Sequence, residues 1–157
     1  MFYSILFIFS ASPVFSGTPL PGDKAPNFSL SSLKGDKFAL DALKGKVVLV
    51  GMFHICVPCM NQAMELNKVR EKIKSDKLVV LGINTNGDSR EAVENYLKGF
   101  PQAVKFPYLL DPEMSLHKAY IQRDMPTILI IDSQGILKAR SSAVGADQLI
   151  PYLEKLM

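Results

Sequence analysis

The 157-residue chain has no tryptophan and only two cysteines, Cys56 and Cys59. That scarcity excludes a secreted domain stapled by disulfides, which carries several pairs at long spacing. It argues equally against structural zinc, which takes about four nitrogen or sulfur ligands. The only further donors of that kind are His54 and His117, at no zinc-finger spacing. Covalent attachment of a c-type haem needs histidine directly after the second cysteine, and Met60 stands there. No block of like charge occurs: 18 Lys and Arg against 15 Asp and Glu give a net charge of +3. The most basic stretch, Lys68 to Lys77, is broken by Glu71 and Asp76, so nothing in the charge pattern suits a nucleic acid. Repeats and low-complexity tracts are missing too, which removes solenoids and disordered tails. What remains, with 48% hydrophobic and 21% charged residues, is one globular domain with a sizeable core.

Charge is also missing from the first 22 residues. Met1 to Ala11 is largely apolar and is followed by Pro13 and small residues, the pattern of a secretory leader, with Val14-Phe15-Ser16 as a processing site. No Lys or Arg precedes the apolar run. A spanning helix takes about 20 predominantly apolar residues, and Pro13 and Ser16 interrupt this one, so an uncleaved anchor comes second. We therefore expect residues 1–16 as signal peptide or membrane anchor, 17–26 as linker and 27–157 as the folded domain. Either route of export puts that domain outside the cytoplasm.

Within the domain, apolar periodicity predicts alternating strands and helices. Asn27 to Leu30 and Lys37 to Leu40 flank the turn Lys34-Gly35-Asp36 and predict a hairpin. One helical turn is expected at Asp41 to Leu43. Val47 to Val50 and Leu78 to Ile83 are continuous apolar runs, as in strands buried on both faces. Between them, Ala63, Leu66, Val69 or Arg70, and Ile73 recur at spacings of three and four, predicting a helix from Val57 to about Ser75. Another helix is expected from Asp88-Ser89-Arg90-Glu91 to Lys98, before Gly99 and Pro101. Then come a short strand at Tyr108 to Leu110 and a short helix at Pro112 to Tyr120. A hairpin of Thr127 to Ile131 and Ile136 to Arg140 follows, and a closing helix at Ala146 to Leu156. The order indicates an α/β sandwich with a mixed sheet.

The cysteines fall where a buried strand gives way to the long helix, and the carboxyl ends of sheet strands are where such folds place reactive groups. Cys56 at a helix N-terminus faces unpaired N–H groups and the positive end of the helix dipole. Its thiol pKa should fall from about 8.5 towards about 7. Pro58 suits the first helical turn, where its missing N–H costs nothing. Cys59, one turn on, returns to the same side and can attack a mixed disulfide formed at Cys56. The expected roles are Cys56 as nucleophile and Cys59 as resolving thiol, with Val57 and Pro58 on the substrate side. Met125-Pro126-Thr127 precedes a predicted strand, and an X-Pro bond adopts cis at modest cost. A cis bond there would turn the Met125 backbone outward as an edge for an extended substrate.

These residues resemble the thioredoxin-like family, specifically its exported TlpA/ResA-type thiol–disulfide oxidoreductases. The resemblance runs from Gly22 nearly to the C-terminus, through Gly22 to Leu30, Leu43 to Val50, Cys56-Val57-Pro58-Cys59, Met125-Pro126-Thr127 and the hairpin around Asp132-Ser133-Gln134-Gly135. It implies a thioredoxin fold: a mixed central sheet flanked by helices, with an N-terminal β-hairpin and an inserted β/α segment near Ser89 to Tyr120. It further implies a cis Pro126 facing the redox pair, and reduction of disulfides in exported proteins, in some members apocytochrome c. A thiol electron donor, membrane-bound, would restore the dithiol. No cofactor beyond the Cys56–Cys59 disulfide and no metal is expected.

Three positions depart from the family. Ile55 stands where Trp usually precedes the first cysteine, Gln62 where many members carry a proton-handling Glu, and Val50 where a polar residue, commonly Asn, is usual. His54 is a candidate to take over part of this role, since an imidazolium near Cys56 would stabilise its thiolate. The alternative for His54 is a solvent-facing loop residue, and His117 reads as a surface residue. Val57 and Pro58 offer no polar side chain to a thiolate, so the expected potential lies nearer about −270 mV than about −120 mV. Two rival functions remain. A peroxiredoxin-like peroxidase needs Pro-x-x-x-Thr-x-x-Cys, whereas counting back from Cys56 gives Phe53 and Leu49, and from Cys59 gives Cys56 and Met52. A copper-binding protein or metallochaperone could draw on the cysteines with Met52, Met60, Met64 and Met125, since thiolates and thioethers suit Cu(I).

Overall fold

The computed structural model describes residues 17–157, so the expected leader 1–16 lies outside the described residues. In chain order the elements are β1 (Ser29–Ser32), β2 (Lys37–Ala39), a 3-10 turn (Leu40–Leu43), β3 (Val47–Phe53), α1 (Val57–Lys72), β4 (Leu78–Asn84) and α2 (Arg90–Lys98). They continue with β5 (Tyr108–Leu110), α3 (Ser115–Ala119), β6 (Thr127–Ile131), β7 (Leu137–Ser141) and α4 (Ala146–Leu156). The seven strands form one sheet in the order β2-β1-β5-β4-β3-β6-β7. β3, β4 and β5 run parallel, and the flanking pairs are antiparallel, so the sheet is mixed as expected.

Strand alternation divides the core between the two faces of the sheet. Val47, Leu49 and Phe53 of β3 pack with Ala63, Leu66 and Val69 of α1, Val93 of α2, and Leu149 and Leu153 of α4. Val48, Val50 and Met52 point the other way, towards Phe28, Leu116 and Tyr120. Residues 22–25, within the expected linker, are sewn to the β6–β7 hairpin. Gly22 N–H reaches Leu137 O at 2.8 Å, Ala25 N–H reaches Gly135 O at 2.9 Å, and Leu137 N–H returns to Asp23 O at 2.9 Å.

Most expected boundaries shift by one to three residues, as where β1 starts at Ser29 and α3 at Ser115, and two of the shifts flank the cysteines. α1 ends at Lys72, because Ile73 turns to extended backbone as its C-cap, rather than near Ser75. β3 runs three residues past Val50, through Gly51-Met52-Phe53, and is buried throughout. Gly51 pairs in register with Gly82 of β4. A Cβ on Gly51 would stand 2.3 Å from Phe53 Cζ, and one on Gly82 would stand 2.7 Å from Phe106 Cε2. The two glycines thus form a recess for aromatic rings, with Phe53 and Tyr108 stacked at 6.0 Å between centroids. This layer lies just below the end of β3, from which the chain turns to the cysteines.

Candidate active site

Cys56 is the N-cap of α1, in extended conformation (φ −157°, ψ 159°), with a proline in the first turn. Its Sγ accepts the Cys59 backbone N–H at 3.3 Å, the place an N-cap oxygen usually takes. The two sulfurs are joined as a disulfide, with Cα atoms 5.3 Å apart. Cys59 Sγ in turn accepts the His54 backbone N–H at 3.4 Å. Donors from the strand–helix turn therefore converge on both sulfurs, and charge-assisted bonds of this kind strengthen when a thiolate forms. Accessibility separates the pair: Cys59 is 1% exposed, whereas Cys56 is half-buried at the surface.

Antiparallel pairing of β3 with β6 sets Met52 opposite Thr127. Met125 and Pro126 directly precede Thr127, at the end of β6 that meets the last residues of β3 before the cysteines. The Met125–Pro126 peptide bond is cis. The loop before it is held from below. Gln122, buried, donates to the carbonyls of Met52 (3.2 Å) and Asp124 (3.1 Å) and accepts from the Thr85 hydroxyl at 2.5 Å. Arg140 of β7 donates to the carbonyls of Tyr120 (2.5 Å) and Ile121 (3.1 Å). Ile121 has φ +47°, uncommon for a β-branched residue, and these two side chains over-determine the turn that imposes it. Ile55 and Val57, at the β3–α1 junction, and Ile121 and Met125, in the α3–β6 connection, are exposed large apolar side chains.

The departures from the family pattern each have a place. Gln62, 2% exposed, clasps the backbone of the β7–α4 loop with both ends of its amide. Nε2 donates to Val144 O, and Oε1 accepts from Val144 N–H, each at 2.8 Å. Asn67, also on α1 and buried, does the same for another loop, donating to Ala103 O and accepting from Lys105 N–H. A carboxylate at position 62 could not donate to Val144 O unless protonated. Gln62→Glu is therefore expected to cost about 1–3 kcal/mol at neutral pH. The folded-state pKa of that Glu would be raised, so the deficit grows as pH rises above the ordinary carboxylate value and shrinks towards pH 4. Thermal melts of the variant and wild type between pH 4 and 8 check this; a constant difference would contradict it. Val50, fully buried, faces the second core and offers no polar group.

His54 does not project freely into solvent. It is half-buried against His117, with ring centroids 6.0 Å apart, and His54 Nε2 and His117 Nδ1 are both buried without a partner. His117, read from sequence as a surface residue, is thus also half-buried, because α3 docks against the turn after β3. Burial, and then the neighbouring His117, hold the His54 pKa below its ordinary value, with Asp88 opposing. That favours the neutral imidazole over the imidazolium envisaged beside Cys56. The contact His54 makes with the redox pair is through its backbone.

Sequence reasoning missed three further participants. Tyr96 of α2 donates its hydroxyl to the Cys56 carbonyl, while Gln122 and Arg140 hold the loop before Pro126. Nothing local in the sequence marks them, since each acts on backbone groups far along the chain. Of the methionines, Met52 is buried in the second core, on the face of the sheet opposite Cys59, whereas Met64 packs against the core that holds Cys59.

The AhpC/TSA family matches residues 21–140. The thiol–disulfide oxidoreductase ResA of Bacillus subtilis (strain 168) is 31% identical over 134 residues, spanning 84% of this chain and 73% of that protein. ResA of Bacillus cereus (strain ZK / E33L) is 30% identical over 139 residues, spanning 86% and 78%. A solved thiol–disulfide oxidoreductase from Bacteroides fragilis superposes with a TM-score of 0.72 at 25% identity, covering 86% of this chain and all (100%) of that one. StoA from Bacillus subtilis shares the fold, with a TM-score of 0.70 at 21% identity over 84% of this chain and 98% of that one. With its mixed sheet and its paired cysteines at the start of α1, the chain belongs to the AhpC/TSA family, as a thiol–disulfide oxidoreductase of thioredoxin-like fold.

Proposed function

We propose that the protein reduces disulfide bonds of exported proteins by cycling Cys56 and Cys59 between dithiol and disulfide. The observation that carries this reading is the asymmetry of the pair: Cys56 caps a helix at the surface, while Cys59 is buried directly behind it. The Cys56 thiolate attacks one sulfur of the substrate disulfide, forming a mixed disulfide and releasing the other as a thiolate that takes up a proton. Cys59 then loses its proton and attacks Cys56 Sγ, which expels the second substrate thiolate and closes the Cys56–Cys59 disulfide. Two electrons pass to the substrate, and a thiol donor, which we take to be membrane-bound, returns them.

Val57, Pro58, Met125 and Pro126 form the substrate side in this reading. The apolar side chains of Ile55, Val57, Ile121 and Met125 suit an extended protein segment rather than a small charged thiol. Apocytochrome c is one such substrate. Residues 1–16 serve as leader or anchor, which places the domain outside the cytoplasm. His54 enters as a modulator through its half-buried neutral ring beside the pair and not as an imidazolium, and an unchanged Cys56 pKa in His54→Ala would remove the side chain from the mechanism. Neither rival gains from the site: Phe53 and Leu49, at the positions a peroxidatic motif would need, are fully buried core residues, and Met52 lies across the sheet from the pair.

Insulin reduction with dithiothreitol as electron source tests the reading. The protein should accelerate precipitation of the insulin chains, and its potential against a glutathione or dithiothreitol series should fall nearer about −270 mV than about −120 mV. A folded, reduced protein that leaves the insulin rate unchanged and binds Cu(I) stoichiometrically would overturn it in favour of the copper rival.

A further inference from the structure

The hydroxyl of Tyr96 is the single side-chain group donated to the backbone of either cysteine among the described residues. It comes from α2, in the segment inserted between β4 and β5, and lands on the Cys56 carbonyl. That oxygen also accepts the Met60 N–H at 3.1 Å, the first hydrogen bond of α1. The tyrosine is held in turn: its ring meets Phe100 edge-on, with centroids 4.8 Å apart and planes at 86°. Tyr96 is half-buried, and burial is the main cause that pushes its own pKa up, so the phenol keeps its proton and remains a donor at neutral pH.

We propose that Tyr96 is a positioning residue for the nucleophile, holding the Cys56 carbonyl so that the sulfur stays at the helix N-terminus in its thiolate-favouring place. Two physical effects support it. The Cys56 side chain caps α1 only while the residue keeps its extended conformation, and a second donor on its carbonyl resists rotation of that peptide. The carbonyl oxygen also carries partial negative charge within the residue that must hold a thiolate. A hydroxyl proton on that oxygen offsets part of it, whereas without the proton the thiolate sits beside an uncompensated dipole. The inference rests on Cys56 being the reactive thiol, and it assigns α2 a task that its distance in sequence from the cysteines conceals.

The test is the pH dependence of iodoacetamide alkylation of the reduced protein, with the modified residue identified by mass spectrometry. Cys59 is 1% exposed, so the reaction reports Cys56. Tyr96→Phe removes the hydroxyl and keeps the ring against Phe100. Its alkylation profile should move to higher pH by about half a unit, a rate about threefold lower near pH 6.5, with the high-pH plateau unchanged. Tyr96→Leu, which loses the ring as well, should show the same shift together with a lower melting temperature. A Tyr96→Phe profile that superimposes on wild type, or a shift that follows melting temperature across the two variants, would overturn the proposal. Alkylation reads the thiol and not a substrate. A protein inactive on insulin that binds Cu(I) stoichiometrically, and whose Tyr96→Phe profile still shifts, would therefore refute the proposed function and leave the role of Tyr96 standing.

Discussion

Cys59→Ser is expected to convert the protein from a catalyst into a trap, whereas Cys56→Ser is expected to leave neither catalysis nor trapping. In the first variant Cys56 still attacks the substrate disulfide, but no thiol stands one helical turn behind it to resolve the product. The mixed disulfide accumulates and turnover falls to the background rate of the reductant. In the second variant the remaining thiol is Cys59, which is 1% exposed and cannot reach a protein disulfide. Non-reducing electrophoresis and mass spectrometry of each variant mixed with oxidised insulin distinguish the outcomes. An adduct on Cys59 in the Cys56→Ser protein, with none on Cys56 in the other, would reverse the assigned roles. The same roles follow from the place of Cys56 at the start of α1, and burial adds that Cys59 is beyond the reach of a protein disulfide.

A second large effect is expected from a single methyl group well away from the sulfurs. In Gly51→Ala the added Cβ would lie 2.3 Å from Cζ and 2.7 Å from Cε2 of Phe53, on the same face of β3. The ring cannot swing aside freely, because it stacks on Tyr108 and also lies near Gly82 of the neighbouring strand. Overpacking of this kind costs about 2–3 kcal/mol. For a domain of this size that corresponds to a fall in melting temperature of roughly 5–10 °C. Gly99→Ala is the control: φ there is −82°, and the nearest atom to an added Cβ is 3.4 Å away. Its stability should change by less than about 0.5 kcal/mol. Urea melts of both variants check the pair, and equal stabilities would show that the aromatic layer is looser than its contacts indicate.

Gly51 also shows why some of the molecule was unreadable from sequence. The apolar run Val47 to Val50 announced a buried strand, but nothing adjacent shows that Gly51 lies opposite Gly82, since that register joins residues 31 apart in sequence. Gln62 and Asn67 pose the same difficulty in polar form. Both are polar residues of α1, yet each is buried because one amide can both donate to and accept from a loop backbone that the helix meets in the fold. His54 and His117 looked unrelated until α3 packed against the turn after β3.

What the sequence by itself determined was therefore local. The order of strands and helices follows from apolar periodicity. The redox pair follows from two cysteines at one-turn spacing where a strand meets a helix, and the family follows from motifs in a fixed order. The tertiary structure decided which sulfur is reachable, what holds the loop before Pro126, where Gln62 spends its hydrogen bonds, and that Tyr96 reaches the Cys56 carbonyl. The physical reason is range: periodicity, capping and turn chemistry act over a few residues, whereas burial and hydrogen bonding to a distant backbone exist only once the sheet has brought those segments together.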